Sequence, residues 1–489
     1  MSQLVWFWTA VATYMAVACG IGLWHYRRAS SEDGFHVAGR SLGPVVGGAT
    51  LMANQVSAGA TIGIVGFHYY SGISYAWTWP LVWIGWVVCA LWVAPKIRRH
   101  AGFTLPEFFE ARYDSRAARA MCAVFVLIAY TVTLSAQYQA GGLLLALVSG
   151  LPFASAAVLV AAMTTVYTFL GGMYSNAYVG VLKAVLLLCA YVFAVPFLWS
   201  HVGGLQGLGV ALTSIDPRLT GNWFGWRQLI SISLALGLGL AAAPYEISAI
   251  YSMQSKRATR LAIGWSFLFQ ACIGFGVLIF GLSARVLVPQ LPEPDLGTAF
   301  LGTSILPFWS GLLVLLAAVV TFTRTGGAIL LTVASAVSHD LYGALVAPGA
   351  SAQAKVRVGR CAVVLFSAIP VVLALRQLAL VNFVVIYAGK LLVSFLFVPV
   401  VIGLNWRRAT APGAIAAMLG GLSVCVGWSL LSPNYPLGID PWEIATATSL
   451  VLFVLVSRAT TPVRRDKLDV FFRPRDGEPG AVARSDGPR

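Results

Sequence analysis

Met52-Ala-Asn-Gln-Val-Ser-Ala-Gly-Ala-Thr61 lies inside an apolar segment, 45–67, that is long enough to cross a bilayer. The stretch carries Asn54, Gln55, Ser57 and Thr61, with Gly59 and Gly63 close by. A helix facing only lipid has no partners for four such side chains. Polar groups and helix-weakening glycines at mid-membrane depth point to a discontinuous helix lining a cavity. Polar contact between tightly packed helices is the alternative.

The rest of the chain supports a membrane protein. Hydrophobic residues make up 58% of it and charged residues 10%, against about 25% charged in a soluble domain. Apolar runs recur from end to end, and no soluble segment is long enough to fold alone. The first run, 4–24, has no basic stretch before it and is followed by Arg27 and Arg28. It therefore reads as a retained span and not a cleaved leader. Cys19, Cys89, Cys122, Cys189, Cys272, Cys361 and Cys425 are odd in number and scattered, which argues against a disulfide framework. Nucleotide-binding loops, zinc spacings and hydrolase elbows are missing from the sequence.

A net charge of +15 invites a nucleic-acid reading. The basic residues instead collect in alternate loops, as around Lys96 to Arg119, Lys256 to Arg260 and Lys355 to Arg360. That alternation is the positive-inside pattern, and nucleic acid is not an expected partner. It is satisfied by about thirteen spans in the inner (plasma) membrane, with the N-terminus outside and the C-terminus cytoplasmic. Residues 104–116 are too polar to span and are expected to form short interfacial helices.

Irregular helices recur at a spacing that suggests a repeat. Leu236-Gly-Leu-Gly-Leu-Ala-Ala-Ala-Pro244 lies five spans after the polar stretch, and Thr321-Phe-Thr-Arg-Thr-Gly-Gly327 lies two spans further on. The expected organisation is an extra N-terminal helix at 1–30 and a transport core at 43–404. The core would be two inverted five-helix repeats, 43–200 and 227–404, each opening with a broken helix. Two further helices at 405–460 and a disordered tail at 461–489 would follow.

Several short motifs stand in a telling order: Phe35-His-Val-Ala-Gly-Arg-Ser-Leu-Gly43, the polar stretch, Thr104-Leu-Pro-Glu-Phe-Phe-Glu-Ala-Arg-Tyr113, Tyr167-Thr-Phe-Leu-Gly-Gly-Met173 and Ser335-Ala-Val-Ser-His-Asp-Leu-Tyr342. Together, across 35–460, they resemble the sodium:solute symporters. The last motif and Val181-Leu-Lys-Ala-Val185 are most similar to the cation/acetate and monocarboxylate branch. The resemblance implies an all-α polytopic LeuT-type inverted-repeat fold. It also implies a sodium ion held between the second and ninth spans by the carbonyls of Ala53 and Val56, beside Thr321, Arg324 and Thr325. Arg324 stands where the family has a serine.

A charge at mid-span is costly, so Arg324 is expected to be functional. Its guanidinium has three candidate roles: filling the cation site in place of sodium, pairing with a substrate carboxylate, or pairing structurally with carbonyls or another side chain. Lys183, early in the sixth span, is expected to snorkel to the basic side. Lys390 is embedded more deeply, with no assigned partner. Glu246 is read as a partner of Lys256 or a proton acceptor. In the fourth span Ser135 and Gln139 share a face, with Gln137 set apart. Asn54, Gln55, Ser57 and Gln137 are the expected substrate contacts. Trp77 and Trp79 are expected to be interface anchors.

The sequence thus predicts a secondary transporter that imports a small organic solute, with a monocarboxylate favoured. It would make no bond, need no cofactor and use sodium or a proton as coupling ion. A carrier made independent of sodium by Arg324 is one alternative. A non-transporting solute sensor is the other, although no signalling domain follows Arg458.

Overall fold

In the computed structural model the chain is all-helical, and the structure describes residues 3–100, 102–377, 379–431 and 435–472. Among them, ten helices are long and apolar enough to cross a membrane, or eleven if one bent pair counts as a single span. This count leaves the expected thirteen spans unconfirmed. Two of the ten are long continuous runs, Gly59–His100 with 42 residues and Phe153–His201 with 49, where one crossing needs about 20. The longer run is broken at Gly172 (φ 53, ψ −141), a conformation that glycine alone adopts readily.

The polar stretch is a break, as expected. Pro44 starts a helix that ends at Gln55, where Val56 (φ −73, ψ 83) leaves helical geometry. The chain resumes as a π-turn, Gly59–Ile64, and then the helix Val65–Ser71. The second break lies in Leu236–Pro244. Helix Trp226–Ala241 stops and helix Pro244–Ser252 leaves at 42°. The Pro244 ring disfavours helical geometry at the residue before it, and Ala243 is extended (φ −66, ψ 125).

The two broken helices are clasped end to end. Leu42, just before the first, donates its N–H to Ser252 O at 3.1 Å, and Gln254 N donates back to Leu42 O at 3.0 Å. Between them runs Phe308–Ser335, in which every residue from Ala317 to Ser335 is buried. A helix apolar and buried on all sides forms the centre of a bundle.

At the end bearing the basic loops, Thr104 caps the short helix Leu105–Tyr113 by accepting from Glu107 N at 3.1 Å. An ionic knot ties this helix to its neighbours. His339 meets Glu32 at 2.5 Å and Glu107 at 3.4 Å, and Lys355 meets Glu32 at 3.3 Å. Part of the segment expected to be disordered is helical. Arg465–Phe472 docks through Phe471, 1% exposed, whose ring lies 5.7 Å from that of Phe108. Leu468, Phe471 and Phe472 share one helical face, at i, i+3 and i+4 spacing, which is enough for docking. Residues 473–489 lie outside the described residues.

Candidate functional site

A helix that stops mid-membrane leaves its last carbonyls without intrahelical partners, and hydrocarbon supplies none. Here Lys183 supplies them. Its ammonium donates to Ala53 O at 2.8 Å, to Val56 O, and to Thr325 Oγ1 at 3.0 Å, with Thr321 O at 3.5 Å. Thr325 Oγ1 in turn donates to Ala53 O at 3.0 Å. Thr321 faces the cage with its carbonyl only, because its hydroxyl bonds back to Ala317 O at 2.7 Å. Ala53, Val56, Thr321 and Thr325, four of the five residues expected at the cation site, converge, and a lysine fills the space between them. The expectation that Lys183 snorkels is wrong: it is 0% exposed.

The expectation that Arg324 fills this cage is also wrong. Thr321 and Thr325 share a helical face at i,i+4, and Arg324 is rotated from Thr325 by about 100°. Its guanidinium therefore points beside the cage. It donates to Asn54 Oδ1, to Asn176 O at 3.2 Å and to Thr50 O at 3.3 Å. A Cβ added at Gly180 would sit 3.2 Å from this guanidinium, so the close approach needs glycine there. Beyond Asn54 lies Glu246, fully buried in the first turn of Pro244–Ser252. Its carboxylate accepts from Asn54 Nδ2 at 3.3 Å and from Gln55 Nε2. Each broken helix thus contributes to one polar junction. Lys256, the other expected partner of Glu246, is exposed. Lys390 pairs with Asp440 at 2.6 Å.

A cavity of about 150 Å³ opens beside the first break. Asn54, Gln55 and Ser57 line it, with Thr133, Tyr245 and Asn382 on other walls and Tyr75, Thr78 and Trp79 towards the end away from the basic loops. None of its lining residues is charged, and most are apolar. Arg324 is not among them, so the cavity offers no guanidinium to a substrate carboxylate. Three of the four expected substrate contacts therefore face the cavity. Gln137 does not: it is 0% exposed, and its Oε1 accepts from Ala58 N at 3.0 Å, capping the resumed helix. Trp79, expected at a lipid interface, lines the cavity and packs against Gly274. Trp77 is 56% exposed, as an anchor should be.

Sequence reasoning misplaced Lys183 and missed Tyr245 and Asn382. Asn382, an amide at the start of an apolar run, carried a usable signal of the same kind as Asn54. Tyr245, next to the helix-starting Pro244, carried a weaker one.

Residues 35–421 match the sequence profile of the sodium:solute symporter family. The high-affinity proline transporter PutP of Bacillus subtilis is 27% identical over 428 residues, covering 84% of this chain and 89% of that protein. The sodium/pantothenate symporter of Escherichia coli is 25% identical over 469 residues, covering 93% and 96%. Among solved structures, a Na+-coupled sialic acid symporter in a substrate-bound outward-open state superposes with a TM-score of 0.81 at 17% identity, covering 94% of this chain and 99% of that one. The nucleobase-cation-symport-1 transporter Mhp1, in a closed conformation, gives 0.58 at 14% identity, covering 89% and 97%. These likenesses show the LeuT-type fold.

Proposed function

The chain belongs to the sodium:solute symporter family, and from that premise we propose that it imports a small zwitterionic monocarboxylate of about the size of a cyclic amino acid. It is an integral multi-pass membrane transporter, not an enzyme, and sodium is the coupling ion of its family. The substrate class rests on one observation: the cavity beside the first break has no charged side chain in its wall. Bringing a net anion into such a space is costly, since no buried partner offsets its lost hydration. A zwitterion carries its own counter-charge. Polar side chains at the break, Asn54, Gln55 and Ser57, supply hydrogen bonds to its polar end, and Trp79 and Val385 pack its apolar part. Proline, named for one relative, is such a zwitterion, whereas pantothenate, named for another, is a net anion. The basic loops support an orientation with the ionic knot in the cytoplasm and the Trp79 end of the cavity outside.

Isothermal titration of the purified protein in detergent with L-proline, pantothenate and acetate tests this. Proline is expected to bind more tightly than pantothenate or acetate. Tighter binding of either net anion would reject the zwitterion assignment.

A further inference from the structure

The oxygens around Lys183 fit a monovalent cation, but the space between them already holds one. We infer that Lys183 is a tethered cation that takes the place of sodium at this cage, so that this transporter binds no sodium there.

Three independent observations converge on this. The first is the donor set. The carbonyls of Ala53 and Val56 and the Thr325 hydroxyl all lie within hydrogen-bond reach of one nitrogen, with Thr321 O at the limit of reach. An ammonium has three protons, and it spends them on three oxygens that a sodium ion would otherwise coordinate. The second is burial. Lys183 is 0% exposed, and its Nζ has no carboxylate among its bonded partners, only neutral oxygens. It sits as an ion would in a cage of dipoles, at the carbonyl end of the half-helix Pro44–Gln55, where a positive charge is favoured. The third is the neighbouring charge. Arg324, from the same central helix as Thr325, bonds Asn54 and Thr50 of the same half-helix. A sodium ion would have to join two fixed cations held against one short helix, with Glu246, beyond Asn54, as the nearby carboxylate.

The inference concerns the ion and not the solute, so it stands or falls apart from the substrate class proposed above. For an unscreened pair at close range in a partly polar interior, repulsion alone lowers sodium affinity by about a thousandfold.

The test needs no solute. Equilibrium binding of 22Na+ to purified full-length protein is compared between wild type, Thr325→Ala, Lys183→Ala and Lys183→Ala/Thr325→Ala. Wild type is expected to show no saturable binding at physiological sodium that Thr325→Ala removes. Lys183→Ala, which vacates the cage, is expected to gain a saturable site that the added Thr325→Ala weakens by at least about tenfold. Saturable 22Na+ binding by wild type that Thr325→Ala abolishes would overturn the inference. So would a folded Lys183→Ala protein that binds no sodium, since the oxygens would then not form an ion cage. Should the alanine variant not fold, the wild-type titration and its Thr325→Ala control still decide.

Discussion

Arg324 reaches Glu246 through a single side chain, Asn54, which accepts from the guanidinium at Oδ1 and donates to the carboxylate from Nδ2. The amide links a buried guanidinium on the central helix to a buried carboxyl group on the second broken helix. Both broken helices and the central helix therefore share one electrostatic junction at the depth of the cavity.

Replacing Asn54 by Ala would leave both buried groups short of a hydrogen-bond partner. Hydrogen bonds to charged groups contribute about 1.5–3 kcal/mol each, so Asn54→Ala is expected to destabilise the protein by about 3 kcal/mol or more. Thermal unfolding in detergent, followed by a thiol-reactive dye on the buried cysteines, should show a lower midpoint. An unchanged midpoint would mean that the junction is not structural.

Gln55 and Gln137 should separate cleanly. Gln55 lines the cavity, and Gln55→Ala is expected to weaken solute binding by about 1–3 kcal/mol through an unpaired buried group. Gln137 caps the resumed helix at Ala58. Gln137→Ala is expected to cost about 0.5–2 kcal/mol of stability, the usual size of a lost cap, with a smaller change in solute affinity. Calorimetric binding and unfolding measured on the same preparations would check this. Equal losses of affinity would return Gln137 to the binding site.

The ionic knot predicts an acid limb in stability. The hydrogen bond from His339 holds the Glu32 carboxyl at about 2, against partial burial, with Lys355 adding to the effect. Burial would push Glu107 up, but the His339 bonds and the Phe103 N–H bring it to about 2. Both native values lie below the unfolded carboxyl value, so their contribution is complete above about pH 4.5. It is lost as pH falls towards about 2. Glu32→Gln should flatten this limb, which unfolding midpoints taken across that pH range would show. A limb of unchanged slope would place the acid sensitivity elsewhere.

The breaks were legible because they are written in local chemistry: Pro244 dictates the conformation of Ala243, and polar side chains at Asn54 to Ser57 have no place against lipid. The oxygens at Ala53, Val56, Thr321 and Thr325 were reached through motif order, and i,i+4 spacing puts both threonines on one face. What fills the cage was not legible. Lys183 has a long flexible stem that serves equally for snorkelling outward or reaching inward, and only the packing of Phe153–His201 against Pro44–Gln55 decides between them. Arg324 misled for a related reason: it adjoins Thr325 in sequence but faces about 100° away. The number of separate helices was obscured by runs such as Phe153–His201, in which one glycine interrupts an otherwise continuous apolar pattern.

The clasp at Leu42 has a mechanical consequence. Swinging the half-helix Pro44–Gln55 apart from Pro244–Ser252 would break two backbone hydrogen bonds, a cost of about 0.5–1.5 kcal/mol each. Turning the pair as one lever breaks neither. The yoke therefore favours a single rocking stroke over two independent ones, and a loosened yoke, as in a glycine insertion beside Leu42, would let one gate slip while the other stays shut.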